Sequence, residues 1–199
     1  MSKLLLVISL FLSPEQSIDL ATSLLGRPDL ADDLKAIAWR ESRLEPIGVH
    51  EVDRHLDGYW GQVKLNDRAR ARGSKDPGHI DRRCQPHYKE PGMWATHGIL
   101  GLSAAAHWEY MPRCYKPQWL DIPLVSAIVA TRKYDRKCLQ SKRRRGWCRI
   151  PKRFRGERDP RKNNKKAKAT ELPPRADNLE QWLETQLKNK LHPPQDALS

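Results

Sequence analysis

The sequence predicts a mainly α-helical domain with a long loop insertion and a basic C-terminal arm, and three observations carry that reading. Apolar residues recur at helical spacing in segments that open on capping residues. With 199 residues, 38% of them hydrophobic, and seven Trp, the chain suits one packed domain with a tail and excludes a membrane bundle. Residues 131–170 hold 18 Lys and Arg against 3 Asp and Glu, while the whole chain is only +13, so the basicity belongs to one segment.

The first twelve residues carry an apolar run from Leu4 to Leu12, too short to span a bilayer. It reads either as the core of a secretion signal or as an N-terminal segment that packs or frays, because no small-x-small cleavage site succeeds it. Ser13, Pro14 and Gln16 form a capping box with Pro at the first helical position, and Ile18, Ala21, Leu24 and Leu25 give a helical stripe that ends at Gly26. A second helix starts after Pro28, carries Leu30, Leu34, Ile37 and Leu44 on one face, and stops at Pro46. Residues 45–97 gather Gly, Pro, Asp, His and Arg without a sustained period and read as an insertion of loops with a short hairpin around Tyr59, Trp60 and Val63. Beyond Gly98, Ser103 caps a helix through Ala104, His107, Trp108 and Met111. A Pro-rich turn comes next, and Asp121 caps a central helix containing Pro123, Val125, Ile128 and Val129. The domain thus runs over residues 13–150. Residues 151–199 form a basic arm and a short amphipathic helix, capped by Asp177 and Glu180, whose Leu179, Trp182, Leu183 and Leu187 need a partner surface.

Four cysteines, Cys84, Cys114, Cys138 and Cys148, suit two disulfides in an oxidising compartment. Cys138 with Cys148 closes a small loop at the end of the central helix, Cys84 with Cys114 ties down the insertion, and the connectivity stays one of three. Cys84-x-x-His87 with His97 and Cys114 offers ligand types suited to zinc, but a second short-spaced pair is missing, so no metal site is assigned. His50, His55, His79 and His107 read as loop or packed groups.

One residue breaks the apolar pattern of the second helix. At about 100° per position, Leu30, Leu34, Ile37 and Leu44 bracket Glu41. A carboxylate turned toward an apolar wall is an arrangement that favours the acid form a general acid needs. The competing reading is a helix-end Glu that reaches solvent or pairs with Arg40 or Arg43.

The segment Ala36-Ile37-Ala38-Trp39-Arg40-Glu41-Ser42-Arg43-Leu44-Glu45-Pro46 resembles the helix-end motif of lytic transglycosylases of the lysozyme-like superfamily. The order of the later segments is similar too: Gly98-Ile99-Leu100-Gly101-Leu102-Ser103 resembles that family's Gly-x-x-Gly-Leu-Met-Gln segment, and a helix, a Pro-containing turn and another helix succeed it. The resemblance spans residues 14–138. Three departures stand out: Glu41 and Gly98 are 57 positions apart, much more than in compact members; Ser103 replaces the amide; and no Ala-Tyr-Asn segment is present, with Trp147 to Gly156 in its place.

The resemblance implies a lysozyme-like fold and cleavage of peptidoglycan glycan strands without a cofactor. Glu41 would protonate the oxygen between N-acetylmuramic acid and N-acetylglucosamine, then accept the proton of the muramyl 6-hydroxyl as a 1,6-anhydro ring closes. A hydrolytic muramidase of phage lysozyme or endolysin type would need a second carboxylate, for which Glu51, Asp53 and Asp57 are available. Ser42, Gly98, Gly101, Leu102 and Ser103 are the substrate-binding candidates carried by the motifs. Tyr59, Trp60, Trp94 and Tyr110 are candidate sugar platforms, whereas Trp108 fits core packing better. Residues 142–168, where Arg and Lys interleave with Trp147 and Phe154, suit anionic cell-wall polymers or nucleic acid, and a non-catalytic polyanion-binding protein is the rival reading. No transmembrane span is expected. The implied location is extracytoplasmic, in a periplasm or secreted, or associated with a phage virion or lysis system.

Overall fold

A computed structural model of the chain describes residues 7, 11–46, 48, 50, 95–112, 115–139, 146–150, 176 and 178–188. Its described part is mainly helical, as the periodicity predicts. Four α-helices organise it: α1 (Pro14–Leu24), α2 (Ala31–Ser42), α3 (Pro123–Lys133) and α4 (Leu179–Lys188). None of the helices among the described residues is long and apolar enough to cross a membrane.

Helix α1 begins as its sequence dictates. The Ser13 hydroxyl accepts from Gln16 N at 3.2 Å and the Gln16 side chain accepts from Ser13 N at 2.8 Å, the reciprocal capping box. Its Ile18 and Ala21 are fully buried against α3, which forms the main helix–helix interface with α1. Burial of Leu124, Val125, Ala127, Ile128, Val129 and Ala130 makes α3 the central helix. A π-helical turn, Tyr134–Cys138, continues it to the disulfide Cys138–Cys148, the pairing that the ten-residue spacing offers.

Several boundaries differ from the sequence expectation. Pro28–Leu30 is a 3-10 turn, so α2 proper starts at Ala31. It ends at Ser42 rather than at Pro46, because Arg43 (φ 60°) and Leu44 (φ 64°) are both left-handed. Leu44 therefore lies beyond the helix, partly buried against the core, and bonds from Arg43 N to Trp39 O at 3.0 Å and from Leu44 N to Ala38 O at 3.5 Å close the helix end. Leu30, Leu34 and Ile37 keep their places in the core. Residues Ala105–Tyr110 form a kinked 3-10 segment, non-helical at His107, with no side-chain cap from Ser103. Instead the Ser103 carbonyl takes both His107 N at 3.1 Å and His107 Nδ1 at 2.7 Å. Asp121 does not cap α3 either; it is drawn away to His97 Nδ1 at 3.0 Å.

The amphipathic helix α4 finds its partner surface on the domain itself. Trp182 and Leu183 are buried in the common core, and Trp182 Nε1 donates to Tyr110 O at 3.1 Å. Asn178 supplies the cap, accepting from Gln181 N at 2.9 Å; Asp177 lies outside the described residues. The N-terminal apolar run beyond Val7, Phe11 and Leu12, most of the insertion and most of the basic arm also lie outside them.

Candidate active site

Glu41 occupies the last turn of α2, one residue before the helix ends. Its side chain is 26% exposed, and its nearest polar partner is the guanidinium of Arg40. Arg40 Nε donates to Glu41 Oε1 at 2.7 Å, and Nη2 reaches the same oxygen. The apolar-wall expectation is therefore corrected, while the other side of the carboxylate meets the turn that the motif order predicts.

That turn is built from two glycines in left-handed conformation, Gly98 (φ +67°) and Gly101 (φ +56°). A β-carbon on Gly98 would stand 2.0 Å from the Leu120 carbonyl oxygen, so only glycine fits against that backbone. A β-carbon on Gly101 would stand 2.9 Å from Glu41 Oε2 and 3.2 Å from His50 Cε1. Gly101 thus lets the turn pack directly against the carboxylate. His97 and Leu102 exchange backbone bonds at 2.9 and 3.0 Å and close the base of the turn.

Ser42 ties this turn to α2. Its hydroxyl donates to Ile99 O at 2.8 Å and lies 3.1 Å from Ala38 O. Leu102 is fully buried and Ser103 nearly so, which makes both part of the turn's foundation. Tyr110 is 2% exposed, its ring lying beneath Lys137 Nζ at 5.6 Å. Burial, helped by the Glu109 charge, pushes its phenol pKa upward. Enclosed in this way it is a packing residue and not the open sugar platform expected of it. Trp108 is partly buried against the core, consistent with packing. Tyr59, Trp60 and Trp94 lie outside the described residues, as do Glu51, Asp53 and Asp57.

Four residues join the site that the motifs did not mark. His50 is buried, with Nε2 2.9 Å from Gly98 O; since a carbonyl only accepts, Nε2 carries the proton. Arg40 was visible only as a competing partner, because adjacent helix residues point about 100° apart, and a long side chain at a helix end overcomes that separation. Trp147, read as part of the polyanion-binding segment, instead packs on the domain: its Nε1 donates to Leu100 O at 2.7 Å and Lys133 Nζ lies 3.8 Å from its ring centroid. Burial, then the charge of Lys137, pushes the Lys133 amine down to about 7, with Glu41 opposing and Arg40 reinforcing the fall. Lys133 in turn acts on His107, which burial first and that amine second push down to about 3.

Among the described residues no group of three or more His, Cys, Asp or Glu could hold a metal ion. His97, the described member of the zinc alternative, is engaged by Asp121; Cys84, His87 and Cys114 lie outside.

The arrangement presents one carboxylate with two distinct oxygens. Oε1 is oriented by a guanidinium, and Oε2 faces Gly101, where an added β-carbon would stand 2.9 Å from it. Such a group can deliver and recover a proton at a fixed position. Comparison with protein-family models, curated proteins and solved structures finds no match to this chain.

Proposed function

We propose that the protein cleaves peptidoglycan glycan strands as a lytic transglycosylase, with Glu41 as the single general acid and base. The observation that supports it is the juxtaposition of Glu41 Oε2 with the turn carrying Gly98 and Gly101, in a chain whose Glu-Ser and Gly-x-x-Gly-Leu segments are 57 positions apart. The Ser42 bond to Ile99 O joins those two segments physically.

In this reading Glu41 Oε2 donates its proton to the bridging oxygen of the N-acetylmuramic acid–N-acetylglucosamine bond as the bond from C1 to that oxygen breaks. The N-acetylglucosamine end leaves as an alcohol. The carboxylate then removes the proton of the muramyl 6-hydroxyl while O6 bonds to C1, which closes the 1,6-anhydro ring and restores the acid. No water enters and no second carboxylate is required. The basic segment, of which residues 146–150 are described, would favour anionic walls and speed encounter in a salt-dependent manner.

Glu41→Gln tests the assignment, since it preserves shape and removes the proton. The variant should lose wall-clearing activity by at least roughly 100-fold while retaining the wild-type circular dichroism spectrum and melting temperature. Unchanged clearing by the folded variant would remove Glu41 from the mechanism.

A further inference from the structure

Four of the five guanidinium N–H bonds of Arg40 find acceptors in two separate parts of the chain. Nε and one Nη2 hydrogen serve Glu41 Oε1; the other Nη2 hydrogen goes to Trp147 O at 2.9 Å, and Nη1 donates to Arg149 O. The two carbonyls belong to the segment 146–150, which starts as a 3-10 turn, Gly146–Cys148. Three devices hold that segment: the Cys138–Cys148 disulfide to the end of the central helix, the Trp147 Nε1 bond to Leu100 O at 2.7 Å, and Lys133 Nζ 3.8 Å from the Trp147 ring centroid. Leu100 lies between Gly98 and Gly101. Both sides of the Glu41 carboxylate are therefore referenced to one strap, Oε1 through Arg40 and Oε2 through the glycine turn.

From this geometry we propose that Arg40 is a positioning residue for Glu41, transmitting to the carboxylate the placement of the disulfide-closed segment 146–150. The proposal rests on the catalytic reading of Glu41. Lysine cannot substitute, because three donors on one nitrogen do not span a carboxylate on one side and two carbonyls on the other.

The test compares the full oxidised chain with Arg40→Lys, with the pair Cys138→Ser and Cys148→Ser, and with all three changes together, on short glycan fragments. Arg40→Lys and the serine pair should each lower kcat by roughly 10- to 100-fold with KM within about twofold, the scale expected of a misplaced group. The triple variant should be no slower than the slower of the two, because both changes break one linkage. Wild-type kcat in Arg40→Lys, or effects that multiply, would overturn the proposal.

A second readout does not depend on turnover. The Arg40 Nε–H resonance in 15N NMR spectra, assigned by its loss in Arg40→Lys, should shift in Glu41→Gln and in the serine pair, and a resonance unmoved in either overturns the linkage whether or not the protein cleaves glycan. Wild-type cleavage by Glu41→Gln would instead overturn the catalytic reading, and that variant alone distinguishes the two failures.

Discussion

Gly98 and Gly101 do different work at the same turn, and substitution separates them. Gly98→Ala forces a β-carbon against the Leu120 carbonyl, 2.0 Å away, in a left-handed backbone. It should cost about 2–4 kcal/mol from overpacking and conformation together, read as a lower urea midpoint. Gly101→Ala meets mainly the Glu41 carboxylate and the His50 ring, so it should cost only about 1–2 kcal/mol yet reduce glycan cleavage by about tenfold or more. Equal stability losses with unchanged cleavage in Gly101→Ala would contradict this division. At this scale the sequence was informative where a motif carried the residue: Glu41, Ser42, Gly98 and Gly101 come together. It named Arg40 only as a competing partner of Glu41, His50 only as a loop or packed group and Trp147 only within the basic segment, and it passed over Lys133; their places depend on a helix end and on contacts between distant parts of the chain, which no local period encodes.

The end of α2 and the docking of α4 show how elements settle what periodicity leaves open. A helical period places Leu44 with Leu34 and Ile37, but the left-handed Arg43 and Leu44 stop the helix first, with the Arg43 guanidinium 3.7 Å from the Trp39 ring centroid. Caps drawn from residue type alone failed at Asp121, whose carboxylate is taken by His97, and at Ser103, where Ala104 and not Ser103 precedes the 3-10 segment. They succeeded at Ser13, where both halves of the capping box are local. For α4 the sequence showed an unpartnered apolar stripe and could not name its partner, which is the domain core. Trp182 is 2% exposed and hydrogen-bonded to Tyr110 O. Trp182→Ala should therefore destabilise the whole domain by about 3–5 kcal/mol, with one cooperative transition. Loss of α4 helicity alone, with an unchanged melting temperature, would show that this helix is not part of the core.

Across the whole molecule, burial of two basic groups makes stability depend on pH. Lys133 is held down to about 7 from 10.5 and His107 to about 3 from 6.5. In both cases the unfolded chain binds the proton first, so the Lys133 contribution is lost as pH falls from 10.5 towards about 7, and the His107 contribution as pH falls from 6.5 towards about 3. Lys133→Met removes the first dependence. The variant should be more stable than wild type at pH 7, and the gain should shrink as pH rises towards 10; a gain independent of pH would contradict the burial argument. These effects belong to the scaffold, whereas the proposed function is a bond cleavage with a product that can be weighed. Mass spectrometry of the muropeptides released from purified sacculi by the wild-type protein and by Glu41→Gln reads that product. The wild type should release fragments lighter by one water, ending in 1,6-anhydro-N-acetylmuramic acid, and the variant none. Hydrated reducing ends, equal release by both proteins, or no release by folded wild-type protein would contradict the transglycosylase assignment.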